Sequence, residues 1–264
     1  MNTSTHSPTA IELHARASST YVEKVTQTQE LLKQAGADYG AAYAGGQPHV
    51  AQASSLGAED MVISHLINSL QLDIGIFVLE TGRLHQQTLE LLASFQLASR
   101  APVTVFTPDQ PTIVQFVARS GNDAMYQSIA LRKECCGIRK MEPLARALER
   151  KKAWITGLRR EQSGARAEVP LIDTSEPKVK LNPLVNWTWG DVWHYIGENK
   201  LTYNSLHDQF FPSIGCAPCT RAISLGEDFR SGRWWWEDES AKECGLHVKP
   251  LTASSPLPYE RTPA

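Results

Sequence analysis

The sequence predicts an α/β fold, a mostly parallel sheet with helices on both faces and a cysteine-rich C-terminal lobe. Three observations predict it. Apolar runs of strand length recur at 49–53, 74–79, 103–106 and 153–158, helix-period segments separate them, and each run stops at small or turn-forming residues. Right-handed crossovers between parallel strands place the connecting helices over both faces. With 264 residues, 42% of them hydrophobic, the chain can bury a core, and its length fits one elaborated domain. The expected organisation is a flexible tail over 1–15, a single domain over 16–249 whose lobe begins near 187, and a second flexible tail over 250–264, which holds four prolines.

Taken in order, Thr20–Ala35 has helical periodicity, and His49–Ala53 is a first strand that closes in Ser54, Ser55, Leu56 and Gly57. Asp60–Leu70 (DMVISHLINSL) places apolar residues at helical spacing. Ile74–Leu79 is a second strand, ended by Thr81–Gly82 and followed by a helix over Gln86–Ser99. Val103–Phe106 is a third, closed by Thr107, Pro108 and Asp109 ahead of a helix over Thr112–Arg119. A basic helix from Glu142 to Lys152 leads into the fourth strand, Ala153–Leu158. From Trp187 to His247 the texture changes: three of the five cysteines and six of the seven tryptophans lie there, which suits a lobe closing over the carboxyl ends of the strands.

Composition excludes several classes. No apolar run approaches the ~18 residues of a membrane helix, and the N-terminus lacks the basic-then-apolar order of a secretory signal, so a cytoplasmic protein with no membrane association is expected. A net charge of −2 speaks against a general nucleic-acid binder while leaving room for a local anion site.

The string ASSLGAEDMVI joins a strand, a small-residue turn and a helix start. Small side chains and unpaired helix N-terminal amides suit a phosphate or sulfate; an ordinary turn capped by Ser54 or Ser55 has the same sequence, and no Gly-Lys-Ser/Thr of a nucleotide-binding loop follows. Asp60 fits either a hydrogen bond within that loop or the helix dipole.

The five cysteines divide by position. Cys135 and Cys136 are adjacent, Cys216 and Cys219 are spaced C-x-x-C, and Cys244 stands alone in KECGLH. Four thiolates suit zinc or an iron–sulfur cluster. Two adjacent cysteines reach a single ion only from a strained dipeptide, whereas a cubane offers each thiolate its own iron, which favours a [4Fe-4S] cluster. A thioredoxin-type redox pair at 216–219 fits less well so far from the first strands. Between Leu131 and Arg160 ten basic residues face three acidic ones, a local net of +7 that suits an anionic cluster beside an anionic substrate. Cys244, with Lys242, His247, Arg230 and Arg233 nearby in sequence, reads as a cation-stabilised nucleophile or as an inert packed thiol. Trp234, Trp235 and Trp236 cannot all face one way.

With these residues in view the chain resembles the assimilatory adenylyl-sulfate (adenosine 5′-phosphosulfate, APS) reductases, relatives of the 3′-phosphoadenylyl-sulfate (PAPS) reductases. SSLGAEDMV, LETGRLHQQT, VFTPD, KECCGIRKMEPLARAL, GLRREQSGAR, CAPC and KECGLH carry the resemblance in order from about Ala51 to His247. The resemblance implies an adenine nucleotide α-hydrolase-like fold, with Ser54 and Ser55 near the substrate phosphate. It implies one [4Fe-4S] cluster per chain on Cys135, Cys136, Cys216 and Cys219, with Lys140 between cluster and substrate. Arg166, Arg230, Arg233 and His247 match positions around the phosphosulfate, and Cys244 matches the catalytic cysteine; Arg159 and Arg160 lie in the same motif. It further implies an S-sulfocysteine intermediate, AMP and sulfite as products, thioredoxin as reductant and a homo-oligomer. The turn SSLG departs from the SFG-type turns of relatives, and the 20 residues after Cys244 are too few for an appended thioredoxin-like domain, so a separate reductant is expected. The rival readings are a PAPS reductase of the same mechanism, ATP-dependent chemistry on the same fold, and a structural metal-binding interaction module. The last leaves the fifth cysteine and the arginines idle.

Overall fold

The computed structural model describes residues 7–40, 46–224 and 226–238. After helices α1 (Ala10–His14) and α2 (Tyr21–Tyr39) the chain alternates strand and helix: β1 (Val50–Ser54), α3 (Ala58–Ser69), β2 (Gly75–Leu79), α4 (Gln86–Ala98), β3 (Val103–Phe106) and α5 (Gln110–Ser120). Helix α6 (Ile129–Cys136) runs through a π-helical turn (Gly137–Met141) into α7 (Glu142–Leu148), and β4 (Ala153–Ile155), β5 (Ile172–Asp173), β6 (Val179–Leu181) and α8 (Trp189–Glu198) follow. The sheet order is β3-β2-β1-β4-β6-β5, parallel except for the β5–β6 pair.

Period-two alternation divides the sheet residues between two cores. Val50, Ile76, Val78, Ala153 and Ile155 face the main core under α2, α3, α4 and α8. Their neighbours Ala51, Phe77 and Trp154 face the other way, against Leu144, Ala147 and Leu148 of α7. Because β2 and β4 flank β1 on opposite sides, in register at Ala51↔Gly75 and Val50↔Ala153, the strand order reverses at β1. Its carboxyl end therefore opens a crevice between the loops after β1 and β4, the usual ligand position in such sheets.

The four expected strands and the helices between them are present, with differences at their ends and beyond. The tail expected over 1–15 is, over its described part, a capped helix. Thr9 and Glu12 form a capping box, the Ala10 amide donates to Asp208 at 2.7 Å, and Ala10 is buried. The Thr-x-x-Glu signature was the available signal. Helix α2 extends four residues past Ala35, β4 stops at Ile155 rather than Leu158, and the basic helix stops at Leu148 rather than Lys152. The two- and three-residue strands β5 and β6 are too short for alternation to reveal. The expected lobe starting at 187 also divides: Trp187, Val192, Trp193 and Ile196 lie in the main core, and only the chain from about 205 covers the sheet edge.

Asp191 ties the N-terminal region to α8. Its carboxylate accepts from Lys24 Nζ (2.8 Å), the Ser18 amide (2.7 Å), Ser18 Oγ (3.1 Å) and the Thr188 amide (2.9 Å). Burial alone would raise its pKa, but these hydrogen bonds dominate and hold it at about 2. A depressed carboxyl stabilises the fold above the unfolded value near 4, and that contribution is lost as pH falls from there towards 2. Replacing Asp191 with Asn is expected to cost about 2–4 kcal/mol at pH 7, and to flatten the acid limb of stability between pH 4 and 2. Urea denaturation across that range measures both.

Candidate active site

The loop after β1 is built by a carboxylate. Asp60, in the first turn of α3, accepts from the Ser55 amide (2.6 Å) and Ser55 Oγ (2.8 Å), while Ser54 Oγ accepts from the Leu56 amide (3.2 Å). This bends Leu56 into the left-handed region (φ 61°) and presents the α3 N-terminus to the crevice. Asp60 makes the hydrogen bond within the loop while standing in the first turn of α3, where the helix dipole also favours it. Gly157 after β4 permits the close approach, because a Cβ there would stand 2.7 Å from Asp60 Oδ1.

Over this loop lies a cleft whose walls come from distant parts of the chain. Ser54, Ser55, Lys140, Arg166, Arg230 and Arg233, the described candidates for substrate contact, all line it. Phe77, Val78 and Leu79 of β2, Trp154 of β4, Phe229 and Trp234 also line it. A cleft lined by both aromatic rings and cations suits a flat heterocycle joined to an anion. Two predicted residues, Cys244 and His247, lie outside the described residues.

Support for the cations comes in part from Glu59 and Gln162, which the sequence did not single out. Arg159, fully buried, donates through Nε to Glu59 (2.9 Å) and through Nη1 to Glu161 (2.6 Å). Gln162 donates to the same Glu59 oxygen at 3.0 Å and accepts from Arg166 Nη1, which orients Arg166 toward the cleft. Arg159 is thus occupied within the protein, whereas Arg160 donates to Asn186 and the Val169 carbonyl on the exterior. Arg233 lies over Gly215, where a Cβ would stand 2.3 Å from Nη2, so the glycine ahead of Cys216 is required for this position.

Cys135, Cys136, Cys216 and Cys219 line a second, smaller pocket with Arg83, Arg132, Arg139 and Lys140. None of the four is in a disulfide. Cys135 and Cys136 end α6, and the π-helical turn that follows places Arg139 and Lys140 beside them; such turns often mark functional sites. The C-x-x-C loop is held against the loop after β2. Leu84 and Cys216 form an antiparallel bridge, the Ala217 amide donates to the Arg83 carbonyl (2.7 Å), and Thr81 Oγ1 lies 3.2 Å from Cys216 Sγ. Arg139 donates to the Thr81 carbonyl at 2.7 Å. Burial pushes the Cys135 thiol up, and burial followed by the charge of Cys216 pushes Cys219 to about 11. Raised, buried thiols make poor nucleophiles but good ligands for a cationic centre that displaces their protons. Among the described residues no three His, Cys, Asp or Glu surround one point as ligands of a single ion. Lys140 lines both cleft and cysteine pocket.

The phosphoadenosine phosphosulfate reductase domain matches residues 49–222. A protein of Allochromatium vinosum named adenosine 5′-phosphosulfate reductase is 48% identical over 206 residues, 77% of this chain and 80% of the relative. A protein of the same name from Neisseria meningitidis is 50% identical over 198 residues, 74% of this chain and 81% of the relative. Among solved structures, PAPS reductase from Candida auris in complex with phosphate superposes with a TM-score of 0.60 at 23% identity, covering 77% of this chain and 98% of that one. FMN adenylyltransferase from Candida glabrata gives a TM-score of 0.52 at 12% identity, covering 94% and 83%. These two likenesses are of fold, the adenine nucleotide α-hydrolase-like arrangement that the sequence led us to expect.

Burial raises the Asp60 carboxyl to about 6, against hydrogen bonds from Ser55 and the Gly57 amide that lower it. A carboxyl raised above its unfolded value near 4 costs stability when ionised, so the cost is complete above pH 6 and gone below pH 4. Carboxyl NMR is expected to show Asp60 titrating near pH 6. Asp60→Asn should gain on the unmodified protein by about 2–3 kcal/mol as pH rises from 4 to 6.

Proposed function

We infer that this chain, which belongs to the phosphoadenosine phosphosulfate reductase family, reduces adenosine 5′-phosphosulfate to sulfite and AMP, with Cys244 as nucleophile and thioredoxin as reductant. The observation that carries this reading is the cleft itself, which the β1 loop lines together with Lys140, Arg166, Arg230 and Arg233, Lys140 also lining the pocket of four cysteines. The naming of the similar curated relatives supports APS over its 3′-phosphorylated form.

The chemistry follows from the residues. The adenine would lie along Phe77–Leu79 and Trp154, with the 5′-phosphate at the α3 N-terminus. Arg166, Arg230, Arg233 and Lys140 would offset the phosphosulfate charge, the arginines as planar donors and Lys140 as a point charge. The Cys244 thiolate attacks the sulfate sulfur; the S–Cys bond forms as the S–O bond to phosphate breaks, and the electron pair leaves with AMP. A thioredoxin thiolate then attacks the Cys244 sulfur of the S-sulfocysteine and expels sulfite. Its second thiol resolves the mixed disulfide, leaving oxidised thioredoxin and the Cys244 thiol, so the two electrons gained by sulfur come from the dithiol. His247 is assigned to the phosphosulfate by the family motif alone. The need for free thiolates suits the reducing cytoplasm.

Cys135, Cys136, Cys216 and Cys219 would hold the [4Fe-4S] cluster. The donor set fits: four unbridged thiols, three of them buried, ringed by four cations that offset an anionic centre. When bound, the cluster supplies an electrostatic and structural anchor beside Lys140.

Two outcomes are expected. With reduced thioredoxin under anaerobic conditions, the enzyme releases sulfite from APS in preference to PAPS, and Cys244→Ser abolishes release while keeping the cluster absorbance; near-full turnover by that variant removes Cys244 from the mechanism. Anaerobically purified protein should contain about four iron and four acid-labile sulfide per chain, and stoichiometric zinc would reverse the metal assignment.

A further inference from the structure

The tryptophan triplet divides three ways. Trp234, at φ 43°, is turned inward and 1% exposed, Trp236 is half-buried against the cysteine cluster's apolar surround, and Trp235 is 39% exposed. Trp235 serves neither core nor cleft. It stacks edge-on against Trp236 (4.7 Å between centroids) and stands 6.3 Å from Tyr126, itself 44% exposed and 4.5 Å from Trp236. The exposed rings of Tyr126 and Trp235, with the half-buried Trp236 in contact with both, form one aromatic face.

That face is rigidly tied to the cysteine pocket. Tyr126 Oη donates to the Pro218 carbonyl inside the C-x-x-C loop (2.5 Å), and the Trp234 amide donates to the Cys219 carbonyl (3.2 Å). Glu237 forms a bidentate pair with Arg132 (2.9 and 2.6 Å), the two side chains 2% and 1% exposed. Neighbouring side chains Asp238 and Asp123 are exposed. The described chain ends at Asp238, three residues past Trp235, and Cys244 follows six residues later. Six residues of extended chain span at most about 20 Å. Any protein that attacks the sulfur of Cys244 must therefore work within about 20 Å of Asp238, three residues past Trp235.

We propose that the Tyr126–Trp235–Trp236 face is the docking surface for the protein dithiol that regenerates Cys244. This rests on the function proposed above and adds the surface through which its reductant is recognised. Flat aromatic side chains, Trp above all, supply most of the energy of small protein interfaces, and they lose little conformational freedom on binding. A small dithiol needs no docking surface, so the face selects a protein reductant over a free thiol.

Trp235→Ser, Trp235→Phe and the unmodified holoenzyme separate the possibilities. Three rates are measured: stoichiometric AMP formation from APS without reductant, turnover with dithiothreitol, and turnover against thioredoxin concentration. Trp235→Ser should raise the thioredoxin concentration for half-maximal rate by about ten-fold, leaving AMP formation and the dithiothreitol-driven rate unchanged, and Trp235→Phe should recover most of the loss. Unchanged thioredoxin dependence in the Ser variant overturns the docking surface. A parallel fall with dithiothreitol overturns it too, because Trp235 would then serve the enzyme's own chain. If the unmodified enzyme forms no AMP from APS, the proposed function falls first and the docking surface with it.

Discussion

Everything near the candidate site depends on one short contact, the antiparallel bridge between Leu84 and Cys216. It joins the loop after the second strand to a segment more than 130 residues later, and its neighbours reinforce it through the Arg83 carbonyl and the Thr81 hydroxyl. Arg139 binds the Thr81 carbonyl from the third side, so the π-helical turn, the β2 loop and the C-x-x-C loop meet at one residue. Without that meeting the four cysteines would belong to two unrelated loops. With it, the segment from 205 to 237 becomes a wall of the cleft rather than a separate lobe.

Buried charge is the second constraint. Arg132 with Glu237 and Arg159 with Glu59 place ion pairs where side chains are 10% exposed or less. Such pairs add little net stability over apolar packing, but removing one partner leaves a buried charge and costs about 3–5 kcal/mol. Their effect is to make alternative packings expensive. The Arg132 pair holds the tryptophan triplet against α6; the Arg159 pair holds the start of α3 against the loop after β4, which is where the strand order reverses. Lys140, shared by cleft and cysteine pocket, then couples two sites whose outlines are each set by an ion pair.

Much of this was legible in the sequence. The strands at 49–53, 74–79 and 103–106 stand out as short, mostly apolar or β-branched runs closed by turn residues. The family resemblance points to Ser54, Ser55, Lys140, Arg166, Arg230 and Arg233, and they line one cleft. The short strands β5 and β6 escaped because two or three residues carry no period, and α1 escaped because a five-residue helix shows only its capping box. The change of texture from Trp187 onward suggests a lobe that includes α8, whereas Trp187 and Trp193 are fully buried in the main core. Glu59 and Gln162 could not be singled out: an acid in a first helical turn reads as a dipole partner until Arg159 arrives from 100 residues away.

By itself the sequence determined the kind of chemistry and its order along the chain: a small-residue turn entering a helix, a basic stretch around paired cysteines, a C-x-x-C loop, and one further cysteine. Those are local properties, set by side-chain type and by periodicity over a few residues. Only the tertiary structure decided that Lys140 faces both pockets, that Asp60 uses up the Ser55 amide and hydroxyl, and that Trp235 alone of its triplet turns outward. These outcomes depend on which groups lose water together when distant segments pack, and the cost of an unpaired buried group is fixed by neighbours that sequence order does not reveal.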